Sequence, residues 1–380
     1  MRPVRAVVDL DAVIENVQAL RAMVAPARVC AVVKADGYGH GAVPVAEAAL
    51  AGGADRLGVA LVAEGAELRA AGIDAPILVL SQASPHELDD LVAHRLEATA
   101  YTEVGVVGLA EAAARAHAAD PTAPPVAVHL KVDTGMHRVG VRPEGAVALA
   151  SAIVGAPGLA LASVFTHCAV ADEPDDPFTA EQLARYDAVL AELGEAGIDV
   201  PLRHAANTAG AIAHPAARYD LVRCGIGVYG LDPSPALAGA AALRPAMSLR
   251  AQVSHVQRVA AGEGISYGLR YRPTVETTIA TVPLGYADGV HRRLSAAGGE
   301  VQIGGRRRPI AGTVTMDQLL VDCGDDPVAV GDEVVLFGDP ESAGRPPGAE
   351  EWADRLGTIV YEVVCAISPR VPRQYLGGPS

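Results

Sequence analysis

The sequence predicts a (β/α)8 barrel followed by a smaller, mainly antiparallel β domain. Short apolar, strand-like runs recur eight times between residues 29 and 224, and helical stretches separate them. After residue 229 the runs become short and β-branched, with glycine turns between them. A length of 380 residues suits about two domains. An open doubly wound sheet is the rival for the first half, but it would not call for eight strands.

Residues 4–10 form a strand candidate left over from the barrel count, and it is assigned to the second domain. From Asp11 to Val24 the chain places Val13, Ile14, Val17, Leu20 and Val24 on one helical face, with Asp11 able to cap. The eight barrel strands are then expected at 29–34, 56–60, 77–80, 96–100, 126–132, 159–166, 202–205 and 221–224. Ser84-Pro85-His86-Glu87 reads as a capping box with proline at the first helical position, and Thr179 to Gln182 as a second box. Residues 231–245, rich in Pro, Ala and Gly, read as a linker. The barrel is thus expected over 11–232, and the β domain over 1–10 with 233–380. Its strands are expected at 251–259, 277–283, 301–303, 309–315, 319–321 and 333–337, with turns at Gly262-Glu263-Gly264 and Gly304-Gly305. One helix, 349–356, stops at Gly357.

Bulk properties exclude several functions. A formal net charge of −15 argues against nucleic acid or an anionic membrane as partner. Arg292-Arg293 and Arg306 to Arg308 are too short to reverse that and read as solvated faces. The five cysteines (Cys30, Cys168, Cys224, Cys323 and Cys365) form no C-x-x-C pair, which suits buried thiols in a reducing cytoplasm and no metal site. Asp9 and Asp11 interrupt the first apolar stretch, so no signal peptide is read, and no run is long enough to span a bilayer.

The polar residues at the strand mouths carry the chemistry. Val29 to Gly41 reads V-C-A-V-V-K-A-D-G-Y-G-H-G, a strand ending on Lys34 and feeding a glycine-rich turn with Tyr38. Apolar walls there can lower the amine pKa and let it react with an aldehyde. A lysine snorkelling out of a core strand is the plainer alternative. Further mouths supply company: Lys131 to Arg138 leaves the fifth strand, His167 closes the sixth, Asn207 and Thr208 follow the seventh, and Arg223 ends the eighth. Active sites of such barrels lie at these ends. Cys224-Gly-Ile-Gly and the helix expected near Asn207 could offer backbone N–H groups to a phosphate. A phosphate-bearing aldehyde joined to Lys34 unites both features, and that points to pyridoxal 5′-phosphate.

Here the sequence closely resembles the alanine racemase family. The matching motifs are A-V-V-K-A-D-G-Y-G-H-G at Lys34, K-V-D-T-G-M-H-R at Arg138, F-T-H at His167 and R-C-G-I-G-V-Y-G from Arg223. In the second domain they are I-S-Y-G at Tyr267, L-G-Y-A-D-G at Tyr286, T-V-T-M-D-Q at Met316 and Y-E-V-V-C-A-I-S from Tyr361.

The resemblance implies interconversion of L- and D-alanine, supplying D-alanine for peptidoglycan. Lys34 would form the internal aldimine and act as base on one face. Tyr267 of a second subunit would act on the other, in a shared-site homodimer helped by a Tyr267–His167–Arg223 hydrogen-bond chain. Arg223 would face the ring nitrogen, and Arg138 the ring hydroxyl and the substrate carboxylate. Tyr38, Thr208, Gly225, Ile226 and Tyr361 would hold the phosphate, with Asn207 beside them. Thr208 stands where serine is more usual. Lys131 would be carbamylated to orient Arg138, or is an ordinary lysine paired with Asp133. Tyr286 and Met316 would line substrate access from the partner, whereas by themselves they read as β-domain core. A broad-specificity racemase, a decarboxylase of the same fold and a non-catalytic pyridoxal-phosphate-binding barrel are the alternatives. The last lacks a β domain and any tyrosine like Tyr267, and the cysteine–aspartate motif of the decarboxylase is not seen.

Overall fold

The computed structural model describes residues 2–379. Strand β1, Val4–Asp9, runs directly into the helix Leu10–Val24. Asp9 caps that helix, its carboxylate accepting from the Ala12 N–H at 3.1 Å. The expected cap, Asp11, lies inside the first turn and accepts instead from the Gly378 N–H at 3.0 Å. The helix starts earlier than its apolar face suggests because Leu10 is itself helical and buried.

Eight parallel strands follow: β2 Arg28–Val32, β3 Arg56–Val59, β4 Ile77–Val79, β5 Ala98–Ala100, β6 Val126–Lys131, β7 Leu159–Phe165, β8 Arg203–His204 and β9 Leu221–Cys224. They form two four-stranded arcs, β4-β3-β2-β9 and β5-β6-β7-β8. A parallel bridge from Leu78 to Glu97 joins one seam. At the other, the Arg223 N–H donates to the Ala206 carbonyl at 2.9 Å. The ring closes as a barrel, packed with Val, Leu, Ile and Ala.

The remaining strands are β10 Met247–Gln252, β11 His255–Val259, β12 Thr277–Val282, β13 Glu300–Ile303, β14 Arg306–Pro309, β15 Leu319–Asp322, β16 Glu333–Phe337 and β17 Arg373–Leu376. One sheet has the order β14-β13-β16-β10-β1-β17, and a second β11-β12-β15. Within the first, β1 is antiparallel to β10 and parallel to β17.

Four local expectations are corrected. The run 251–259 is two strands in different sheets, because the chain turns a corner at Val253 and Ser254, whose N–H groups donate to Asp332 and Thr281. The run 309–315 is not a strand. Its predecessor β14 begins right after Gly304 and Gly305, whose φ of 60° and 73° make the hairpin turn. Arg308 is therefore no solvated side chain: it is buried and donates to the Cys323 carbonyl and Asp326. At Thr179 there is no capping box, since the helix Phe178–Glu195 has already begun. The short helix Val360–Cys365 and strand β17 were not anticipated, being brief and partly exposed.

The apolar core is continuous across both halves, and Asn16 seals the join. Its amide donates to the carbonyls of Val228 at 3.2 Å and Arg244 at 2.9 Å, and its oxygen accepts from the Arg244 N–H at 2.8 Å. Asn16→Ala should thus strand two carbonyls and an N–H, lowering stability by about 3 kcal/mol. Urea unfolding of the cofactor-free protein measures it, and a midpoint equal to that of the unsubstituted protein would contradict the role.

Candidate active site

At the C-terminal strand ends lies a cavity of about 580 Å³. Lys34, Tyr38, Lys131, Arg138, His167, Asn207, Thr208, Arg223, Gly225, Ile226 and Tyr361 all line it. Among the described lining residues none is a carboxylate, although the whole chain carries a net charge of −15. Lys34, Lys131, Arg138 and Arg223 therefore set up a positive field suited to an anion.

The segment after β2 explains how Lys34 is presented. Ala35, Asp36, Gly37 and Tyr38 have φ of 53°, 52°, 58° and 52°, a left-handed turn that only glycine adopts freely. Each of the other three costs roughly 1–2 kcal/mol. Glu64 offsets this by accepting from the N–H groups of Ala35 (2.7 Å), Ala60 (2.8 Å) and Leu61 (3.1 Å). Asp36 accepts from the Ala42 N–H at 2.9 Å. Arg373, arriving on β17, donates to the Gly39 carbonyl at 2.9 and 3.0 Å.

Tyr38 is buried against Tyr229, their ring centroids 4.9 Å apart. A Cβ at Gly225 would meet the Tyr38 hydroxyl at 2.4 Å, so only glycine admits this approach. Thr208 Oγ1 accepts from the N–H groups of Gly225 (3.0 Å) and Gly227 (3.4 Å), which fixes the final turn. Asn207 caps the short helix Thr208–Ala213 by accepting from the Gly210 N–H at 2.9 Å.

On the cavity floor Arg223 donates to the carbonyls of Thr166 and Ala205, each at 2.8 Å, and to His204 Nδ1 at 2.7 Å. His167 Nδ1 lies 3.1 Å from the same guanidinium. Burial, then the charges of Arg223, Lys131, Arg138 and Lys34, drive the His167 pKa well below its ordinary value, so this ring is neutral. Burial and Arg138 likewise lower Lys34. Lys131 is lowered to about 8 by burial and by Arg223, Arg138 and Lys34. It does not pair with Asp133, whose oxygens accept from Gly135 and His137.

Tyr267, Tyr286 and Met316 do not join this cavity within the chain; they are 74%, 42% and 52% exposed. Reading Tyr286 and Met316 as β-domain core is thereby corrected. The three share one rim: Ser266 donates to the Thr313 carbonyl, and the Tyr286 and Ala287 N–H groups to those of Thr315 and Met316. Ser266 holds a φ of 61°, a strained position for a residue with a side chain.

Sequence reasoning missed two residues here. Gln182 is fully buried, donating to Thr134 and the His167 carbonyl and accepting from Ala169. Cys365 is exposed rather than buried, and lines the cavity. One unread signal was available: of 30 basic Lys and Arg residues only Lys34 and Lys131 are lysine, and both converge on the cavity. Among the described residues no group of three His, Cys, Asp or Glu could hold a metal, and no helix is long and apolar enough to cross a membrane.

Two family models match the chain: "Alanine racemase, N-terminal domain" over residues 8–233 and "Alanine racemase, C-terminal domain" over 246–375. An alanine racemase of Symbiobacterium thermophilum is 48% identical over 379 residues, 99% of this chain and 98% of that protein. One of Thermobifida fusca is 46% identical over 373 residues, covering 97% of each. The solved alanine racemase of D-cycloserine-producing Streptomyces lavendulae matches with a TM-score of 0.93 at 41% identity, over 100% of this chain and 98% of that one.

The two lysines give a direct test of the cavity's electrostatics. Their acylation should be half-maximal below the ordinary lysine value for Lys34 and near pH 8 for Lys131. Peptide mapping across a pH series reads both, and a midpoint near 10.5 for either would contradict the field described.

Proposed function

The chain belongs to the alanine racemase family, a family of pyridoxal-phosphate-dependent isomerases, and we propose that it interconverts L- and D-alanine by proton transfer on opposite faces of the substrate. The observation that carries this is Lys34 on its braced turn, at the edge of a cationic cavity free of lining carboxylates. Those residues fit pyridoxal 5′-phosphate by charge and by donor type. Lys34 would hold its aldehyde carbon. Tyr38, Thr208, Tyr361 and the backbone of Gly225 and Ile226 would hold its phosphate, with Asn207 fixing the helix that carries Thr208. Arg223 would meet its ring nitrogen, and Arg138 its hydroxyl. When bound, the cofactor supplies a conjugated ring that withdraws electrons and makes an α-proton removable.

Every other step belongs to the chain. The lowered pKa of Lys34 leaves more of its amine neutral and able to take a proton. Arg223 keeps its protons, so it orients by donating a hydrogen bond and transfers nothing. Neutral His167 lies 3.1 Å from Arg223 and lines the cavity, into which Tyr267 of the partner subunit would bring the second base. Arg138 would take the substrate carboxylate, and a carbamate on unpaired Lys131 would give it an anionic partner.

A homodimer with shared sites is supported by the rim itself. Exposed Tyr267, Tyr286 and Met316 stand together beside a strained Ser266, an arrangement suited to insertion into a second copy. The partner's Tyr286, with Tyr361, would narrow access and favour a small side chain. We place the domain boundary near residue 232, with residues 1–10 joining the β domain through β1, and the protein in the cytoplasm.

Racemisation of L-alanine should exceed that of L-serine, L-lysine and L-arginine, and Lys34→Ala should abolish it. Tyr267→Phe should depress α-proton exchange from one enantiomer far more than from the other, measured in deuterated water; equal loss would sink the opposite-face assignment. Mixing inactive Lys34→Ala and Tyr267→Phe proteins after subunit exchange should restore about a quarter of the unsubstituted activity, since half the dimers are mixed and each holds one intact site. No recovery despite exchange would exclude a shared site.

A further inference from the structure

Beneath the cavity a line of buried polar side chains crosses the barrel, and the chemistry above leaves it unused. It starts at the N-terminal strand ends, where Arg56 donates to Glu97 Oε2 at 2.5 Å. His129 Nε2 lies 3.1 Å from the same oxygen. His129 Nδ1 is 2.6 Å from Ser163 Oγ, and that hydroxyl is 2.9 Å from His204 Nε2. His204 Nδ1 is 2.7 Å from Arg223. His129, Ser163 and His204 are each fully buried. A register shift between Val128 and His129 in the β6–β7 pairing sets His129 opposite Ser163, so the backbone builds the alignment.

The direction of every bond in this line is determined. Arginine can only donate, so His204 Nδ1 accepts, and the proton of that neutral ring sits on Nε2. His204 Nε2 donates to Ser163, whose own hydrogen then points to His129 Nδ1. His129 carries its proton on Nε2 and donates it to Glu97, which as a carboxylate only accepts. No member is left with two donors or two acceptors facing each other. Burial drives the pKa of His204 well down and lowers that of His129, in keeping with two neutral rings. Glu97 stays ionised because the His129 and Arg56 bonds outweigh its burial.

We propose that Glu97, His129, Ser163 and His204 form a one-way hydrogen-bond relay that orients Arg223 and links its buried charge to a distant carboxylate. Among the described residues Arg223 has no carboxylate partner. Lys131 is close enough to feel its charge, and among the described residues the relay supplies its only hydrogen-bonded connection to a carboxylate. His129, Ser163 and His204 are positioning residues that act through Arg223. Their value to the reaction rests on the racemase reading, whereas their tautomers do not.

Two measurements test the relay separately from that reading. Long-range proton–nitrogen NMR of the histidine-labelled full chain reads the ring tautomers directly. Both His129 and His204 should be neutral and protonated on Nε2, and an Nδ1–H tautomer or an imidazolium at either would overturn the relay. In the loaded enzyme, Glu97→Gln should lower kcat about tenfold in both directions with KM within about twofold, by loosening Arg223 alone. It should also shift the His204 nitrogen resonances, although His204 does not touch Glu97. Arg203→Ala, which breaks the exposed pair with Asp220 at the same barrel end, should do neither. Unsubstituted kcat in Glu97→Gln, or a kcat loss without any His204 shift, would overturn the proposal. If Glu97→Gln fails to fold, the tautomers of the unsubstituted protein still decide. A wild-type chain inert toward alanine would refute the racemase reading and leave the relay standing.

Discussion

The constraint on which the rest of the site depends is the buried guanidinium of Arg223. A desolvated charge is tolerated only when its donors are satisfied, and here they meet two strand-end carbonyls, a neutral histidine beneath and a neutral histidine beside. This satisfaction determines much around it. His204 and His167 must remain uncharged, since a second cation at 3 Å would repel the first. The Phe165 ring lies against Arg223 and Lys131 alike, its centroid 5.1 and 5.5 Å away, so the two cations share an aromatic ring rather than a carboxylate.

A second constraint is the left-handed turn from Ala35 to Tyr38. Three non-glycine residues in that conformation would unwind the turn in an isolated peptide. Its bracing comes from three directions: Glu64 from the neighbouring helix, Asp36 from within, and Arg373 from the far end of the chain. Local sequence therefore cannot specify how Lys34 and Tyr38 are presented. Glycines at 37, 39 and 41 allow the path, and tertiary hydrogen bonds select it.

This is why the barrel was legible in the sequence while parts of the site were not. Eight apolar runs and the groups at their ends are local signals, and the eight strands form within two residues of the expected bounds, with Lys34 two residues beyond the end of β2 rather than on it. Gln182 reads as a helix-capping residue because glutamine after threonine fits that pattern, yet the helix starts two residues sooner and turns its side chain inward. Arg308 reads as solvated beside two exposed arginines, and only its tertiary contacts with the Cys323 carbonyl and Asp326 bury it. Ser163 and His129 carry no pattern at all, because a register shift between strands brings them together. Tyr267 was found through resemblance, not periodicity. Its position on a strained, exposed loop has no local cause.

The two halves of the molecule cannot be treated as a catalytic barrel with an accessory β domain. Strand β1 opens the chain yet sits between β10 and β17, so the β sheet is complete only once both termini are in place. The same β17 carries Arg373, whose guanidinium donates to the carbonyls of Gly39, Ile367, Ser368 and Val371. One side chain thus joins the turn of Lys34 to the segment that follows Tyr361, and it does so through backbone oxygens that no substitution nearby can remove. Closing the sheet and bracing the lysine turn are consequently coupled: the last strand places Arg373, one of the three supports that hold the turn presenting an amine at the cavity.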